Sequence, residues 1–95
     1  MSTKNEAEAG LEEVRKALNE KGIPFRYSRE DGCASLDFLW KGLNYRVWEY
    51  HEGDVWGAET NVFETGRSRD IEGDYDGIIA AEIRSWPESE YTVKR

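Results

Sequence analysis

The sequence predicts an α+β fold, a two-layer sandwich in which a four-stranded antiparallel meander carries two helices on one face, in the order α-β-β-β-β-α. Apolar residues recur at helical spacing near both ends of the chain. Four central segments alternate apolar and polar residues, and short glycine-containing turns join them. The 95 residues correspond to a single domain, 1–95, in which 1–4 and 88–95 are expected to be frayed.

The first helix is indicated by an apolar stripe with spacings of four, three and four, formed by Ala7, Leu11, Val14 and Leu18. Thr3 with Glu6, or Asn5 with Glu8, can cap its start. The segment from Gly22 to Pro24 combines a glycine cap, an apolar contact and a helix stop. We therefore expect the helix to end near Lys21.

Four strands follow from the alternating segments, which are Pro24 to Arg29, Cys33 to Trp40, Leu43 to Tyr50 and Val55 to Phe63. Asp31-Gly32 and Lys41-Gly42 form two-residue turns, and His51 to Asp54 form a four-residue loop. This register predicts one row of facing opposite charges, which is Arg26, Asp37, Arg46 and Glu59. It directs eight residues towards the helices: Phe25, Tyr27, Leu36, Phe38, Tyr45, Val47, Ala58 and Val62.

A second helix is predicted after a polar connection from Glu64 to Asp70. Its buried side comprises Tyr75, Ile78, Ile79, Ile83 and Trp86, and Pro87 ends it. Four acids, Asp70, Glu72, Asp74 and Asp76, are placed near its start, where carboxylates interact favourably with the helix dipole. Tyr91 and Val93 could add a short edge strand.

The charge of the chain excludes several classes of function. The net charge is −7, and residues 51–76 contribute −6 of it, with eight acidic residues against Arg67 and Arg69. Direct nucleic-acid binding requires basic residues that this chain lacks, and no apolar run is long enough for a membrane span.

The lone Cys33 cannot form an internal disulfide, and the N-terminus carries no secretory signal. We therefore expect a soluble protein of the cytoplasm.

The best candidate binding surface is the sheet face that points away from the helices. Trp48 and Tyr50 would provide aromatic contact area on it, while Arg46 and Asp37 would orient a peptide, a partner protein or a planar ligand. In the predicted register Trp48 lies between Ser35 and Gly57. The alternative interpretation is therefore that its indole shields the glycine backbone and that the charged row is an ordinary solvated surface.

Metal binding and catalysis have weaker support. The segment Glu72-Gly73-Asp74-Tyr75-Asp76 resembles the start of a calcium loop, but the position of the bidentate carboxylate is occupied by Ile83. Acids that cap a helix explain this segment better, so no metal site and no cofactor are predicted. His51 lies on an exposed hairpin, and the carboxylate of Glu30 opposite Cys33 should disfavour the thiolate. No catalytic residue is assigned.

These observations favour a small non-enzymatic interaction or ligand-binding module. It would use the sheet face around Trp48 that points away from the helices, or the acidic end at residues 51–76, with an unknown protein or small ligand as partner. One alternative is an acidic decoy that inhibits a basic nucleic-acid-binding protein. Another is a small enzyme in which Asp37 or Glu59 acts as acid or base, although Arg46 beside both would hold them ionised and not poised to exchange a proton near neutrality. An exposed edge strand permits a monomer or a weak homodimer.

Overall fold

The computed structural model describes residues 10–64 and 66–87. Its elements in chain order are α1 (Glu12–Glu20), β1 (Phe25–Glu30), β2 (Cys33–Trp40), β3 (Leu43–Glu52), β4 (Val55–Glu64), β5 (Arg67–Glu72) and α2 (Tyr75–Arg84). The five strands form one antiparallel sheet in the order β1-β2-β3-β4-β5. The α+β class with an antiparallel meander is therefore confirmed, and the sheet has five strands instead of four.

The fifth strand occupies much of the segment predicted to be a polar connection. Five of its six residues are exposed, and only Ile71, which pairs with Ala58, is partly buried. An edge strand with so many charged and polar side chains lacks the alternating pattern by which the other strands are recognised. Asp70 and Glu72 consequently belong to β5, so of the four acids expected near the start of the second helix only Asp74, its N-cap, and Asp76, in its first turn, occupy that position.

The end of α1 follows the predicted glycine-capped geometry. Gly22 adopts a φ of 71°, which is easily accessible to glycine, and the Ile23 N–H donates to the Leu18 carbonyl oxygen at 2.9 Å. The last helical residue is Glu20 and Lys21 is its C-cap, in agreement with the expected end. The predicted caps at Thr3 and Asn5, and Ala7 of the apolar stripe, lie outside the described residues.

The start of α1 is capped by a residue of the other helix. The Asp76 carboxylate accepts hydrogen bonds from the backbone N–H groups of Glu13 at 2.9 Å and Val14 at 3.0 Å. Burial raises the pKa of Asp76, and these two hydrogen bonds partly oppose that increase. Asp74 caps α2 itself by accepting from the Gly77 N–H. The acids expected at the start of one helix therefore cap two helices, since Asp74 caps α2 and Asp76, which belongs to α2, caps α1.

The core lies between the helices and one face of the sheet. The eight residues predicted to face the helices are buried or partly buried there. On α2 the buried residues are Ile79, Ala80 and Ile83, whereas Ile78 is 44% exposed. The prediction that Ile78 is buried is therefore wrong. No helix in the described ranges is long and apolar enough to cross a membrane.

The predicted register holds for the first three strands and shifts between β3 and β4. Arg26 faces Asp37, and Asp37 faces Arg46, as expected. Between β3 and β4, however, Trp48 faces Glu59. The reason is that both strands continue to the pair Glu52 and Val55, so that the turn consists of Gly53-Asp54 alone. A shift of two residues preserves which face each side chain occupies but changes its neighbours. The predicted pairing of Arg46 with Glu59 is therefore wrong.

Candidate functional site

The four predicted binding residues share the face of the sheet opposite the helices. Arg46, Trp48 and Tyr50 are alternate residues of β3, and Asp37 of β2 faces Arg46. Both described helices pack on the other face, where they cover the buried residues of β2 and β3. The Trp48 side chain is 44% exposed, an unusual position for an indole in the middle of a sheet. We call this surface the open face.

Arg46 interacts with Trp48 on the open face. Its guanidinium carbon lies 4.9 Å from the indole ring centroid, a distance typical of a cation–π contact. Within the described part of the chain, Arg46 forms no ion pair within 4.0 Å with the facing Asp37. The guanidinium therefore lies over part of the indole ring and keeps one positive charge against it.

Tyr50, not Trp48, shields the glycine of the neighbouring strand. Gly57 pairs with Tyr50, and a Cβ atom at this position would lie 2.8 Å from the Tyr50 ring and from the Ile71 carbonyl oxygen. The glycine is therefore required by close approach. Because Trp48 faces Glu59, the interpretation that its indole protects Gly57 is wrong.

A cleft opens beside Trp48 where two hairpins separate. The β2–β3 pairing ends at Ser35 and Trp48, although β1–β2 pairing continues to Cys33 and β3–β4 pairing continues to Glu52. The tip of the β1–β2 hairpin therefore parts from the tip of the β3–β4 hairpin. The resulting hairpin cleft has a volume of about 430 Å³ and is lined by Glu30, Asp31, Cys33, Ala34, Ser35, Trp48 and Glu49.

Glu49 closes the inner end of the hairpin cleft with two hydrogen bonds. One carboxylate oxygen accepts from the backbone N–H of Ala34 at 2.8 Å, and the other accepts from the Tyr75 hydroxyl of α2. Ala34 is only 1% exposed, so its N–H has no access to bulk water as an alternative partner. Burial and the hydrogen bond to Glu49 raise the pKa of Tyr75 far above its ordinary value. This pair of bonds links the separated hairpins to the helical layer.

Glu49 is not among the site residues predicted from the sequence. A signal was present, because strand alternation directs Glu49 to the same side as the core residues Tyr45 and Val47. A carboxylate at a core-facing position needs specific hydrogen-bond donors. Such a local violation of the hydrophobic pattern is a recognised indicator of a functional or strained site.

Cys33 lies in the hairpin cleft and is partly buried. Burial raises the pKa of its thiol, and the Glu49 carboxylate adds to this effect, while Arg29 opposes it. The thiol is therefore protonated at neutral pH and is a poor nucleophile. The outcome agrees with the expectation from sequence, although the main causes are burial and Glu49.

Carboxylates gather on the other side of Trp48, towards the β5 edge. Glu59 faces Asp70, and Glu72 faces Gly57. Burial raises the pKa of Tyr50, and the nearby acids, led by Asp70 and Glu72, raise it further. Across the described ranges, no group of three or more His, Cys, Asp or Glu residues is arranged to hold a metal ion. The acids resembling a calcium loop are instead divided between β5 and the two helix caps.

The geometry can be compared with that of known proteins. No protein-family model, curated protein or solved structure matches this chain. Function is therefore inferred from the residues of the open face and the hairpin cleft.

Proposed function

We propose that this chain is a non-enzymatic binding module whose contact surface is the open face around Trp48 together with the hairpin cleft. The observation that carries the proposal is the exposed indole at the edge of that cleft. Tryptophan is strongly enriched among residues that dominate binding energy, because it combines a large apolar area with few rotatable bonds. An exposed tryptophan beside a concave surface is thus a typical contact residue.

The lining of the cleft favours a small ligand or one or two side chains of a partner. A volume of about 430 Å³ is within the range of small-molecule sites. The indole of Trp48 offers an apolar wall, while the Ser35 hydroxyl and the Glu49 carboxylate offer polar contacts at the same place. A group that stacks on the indole and reaches into the cleft would use both.

Backbone pairing on both sides of Trp48 favours a preorganised contact surface. Trp48 lies on the central strand of five, between Ser35 on β2 and Glu59 on β4. A side chain on a paired central strand loses little backbone freedom when a ligand binds.

The proposal is tested by comparing Trp48→Ala with Trp56→Ala. Trp56 is a matched control because it is also a tryptophan and is 41% exposed, but it stacks on His51 away from the open face. Immobilised wild-type protein and both variants are incubated with the same extract at equal loading. We expect every specific partner retained by wild type and Trp56→Ala to lose at least about tenfold in affinity for Trp48→Ala, the loss typical of a central contact residue.

The salt dependence of binding distinguishes a contact through Trp48 from nonspecific attraction between charges. A Trp48-centred contact should persist as salt is raised to about 0.5 M, where surface electrostatics are strongly screened. If Trp48→Ala retains the same partners with the same affinity as wild type, the proposed surface is wrong.

One observation favours the acidic decoy as a second candidate function. Glu59, Asp70 and Glu72 lie together on the open face beside Trp48, so the surface carries a local excess of negative charge. A decoy of this kind would bind a basic partner mainly through charge. Its binding should fall steeply with salt and should weaken in Asp70→Asn, whereas Trp48→Ala should have little effect.

A further inference from the structure

The two outer strands of the sheet differ in how they could pair with a second copy of the chain. Among the described strands, β1 pairs only with β2, and β5 pairs only with β4. Each therefore has one backbone edge without a partner strand in the described ranges. Such an edge is a template for another strand, and natural proteins protect it with charges that would clash on pairing.

The charges of β1 do not prevent it from pairing with the β1 strand of a second copy. In an antiparallel pair related by a twofold axis, residues equally distant from the axis face each other and lie on the same side of the sheet. With the axis at Ser28, Arg26 of one copy faces Glu30 of the second, and the reverse pair forms symmetrically. Two pairs of opposite charges result, and all three residues are exposed in the isolated chain.

Neighbouring registers of β1 are less favourable. An axis at Arg29 places the two Arg29 side chains opposite each other. An axis at Tyr27 leaves Arg26 facing Ser28 and Glu30 facing Pro24, so neither charge is paired. Opposite charges that face each other stabilise a strand pair and like charges destabilise it, so the axis at Ser28 is the most favourable of the three.

The strand at the other edge has the opposite property. An axis at Asp70 or at Arg69 places that residue against its own copy. An axis at Ser68 brings Arg67 against Arg69, and an axis at Ile71 brings Asp70 against Glu72. Every twofold pairing centred on these residues of β5 therefore opposes like charges, which is the usual protection of an edge.

From this contrast we propose that β1 is a self-association edge, through which a second copy of this chain extends the sheet to ten strands across a twofold axis at Ser28. The interface comprises one six-residue strand from each copy, so the dimer is weak and forms at high protein concentration. The inference is independent of the binding surface around Trp48.

The test measures mass by sedimentation equilibrium over a concentration series. The wild-type mass should rise from 11.0 kDa towards twice that value. Glu30→Arg and Arg26→Glu each replace both opposite-charge pairs by like-charge pairs and should weaken the dimer by at least about tenfold. An equimolar mixture of these two variants should associate again, because each arginine then faces a glutamate of the other chain.

Two further variants control for folding and for the choice of edge. Glu72→Arg makes the same charge change at an exposed position of β5 and should leave the dimer unchanged. Ser28→Lys places two like charges on the axis and does not alter Arg26, which faces Asp37 within its own sheet. It should also prevent dimer formation, and its melting curve shows independently whether the chain is folded.

Three results would overturn the proposal. The first is a wild-type mass that stays at 11.0 kDa at millimolar concentration. The second is a dimer that withstands Glu30→Arg and Ser28→Lys in folded chains, or one that is lost in Glu72→Arg. The third is a series of assemblies larger than a dimer, which would indicate open-ended pairing of β1 with β5.

Discussion

Phe38→Ala is expected to lower the free energy of unfolding by about 3–5 kcal/mol, the usual range for removing a buried phenylalanine ring. Phe38 is 5% exposed, and its ring centroid lies 5.4 Å from that of Tyr45 and 6.2 Å from that of Trp86. Trp86 stacks in turn on Trp40 at 4.2 Å. The ring of Phe38 therefore joins the sheet to the segment that follows α2, and its loss leaves a cavity between the two layers.

Urea denaturation followed by circular dichroism measures this loss. Ser28→Ala is the control, because Ser28 is exposed and its hydroxyl contacts only that of Ser35, at 3.1 Å, among the contacts described. Its effect should remain within about 0.5 kcal/mol. A loss below about 1 kcal/mol for Phe38→Ala would mean that the ring is not in a packed interior, contrary to the arrangement described above.

Glu49→Ala is expected to lower the free energy of unfolding by about 2–4 kcal/mol, since one buried and one partly buried donor lose their acceptor and each unsatisfied buried donor costs about 1–3 kcal/mol. The donors are the Ala34 N–H and the Tyr75 hydroxyl. The first lies where the β2–β3 pairing stops, so no strand carbonyl is positioned to replace the carboxylate. The change should therefore loosen the hairpin cleft as well as the contact with α2.

Two variants show whether the effect comes from these hydrogen bonds. Tyr75→Phe removes only the hydroxyl and should cost about 1–2 kcal/mol, less than Glu49→Ala. Glu59→Ala removes a carboxylate on the open face and should cost no more than about 0.5 kcal/mol. Native-state hydrogen exchange adds a local readout, because the Ala34 amide should exchange faster in Glu49→Ala and keep its protection in Glu59→Ala. Unchanged protection of Ala34 in Glu49→Ala would contradict the assigned role.

The parts of the fold that local pattern determines could be predicted from the sequence. Alternation over two residues assigned Leu36 and Val47 to the core face and Arg46 and Trp48 to the open face. The turns at Asp31-Gly32 and Lys41-Gly42 fixed the register of three strands, since a two-residue turn leaves little freedom in pairing. The glycine cap after α1 is equally local, and it also formed as predicted.

The remaining features depend on contacts between distant residues. The segment from His51 to Asp54 is compatible with a four-residue loop or with a two-residue turn at Gly53-Asp54. Each side chain of β4 occupies the same face of the sheet in both cases. The shift that placed Trp48 opposite Glu59 could therefore not be read from alternation. The same applies to Asp76, whose role as the cap of α1 requires that helix to lie beside α2.

The central claim is that Trp48 is substantially exposed on the open face, with Arg46 over its ring, whereas the indoles of Trp40 and Trp86 are partly buried against the core. The most direct measurement is acrylamide quenching of three single-tryptophan variants, in which Trp48, Trp40 or Trp86 is retained and the other tryptophans are replaced by phenylalanine. We expect the Trp48 variant to emit at long wavelength and to be quenched several-fold more efficiently than the other two. Equal protection of Trp48 and Trp86 would show that this face is covered, and it would contradict the proposed binding surface.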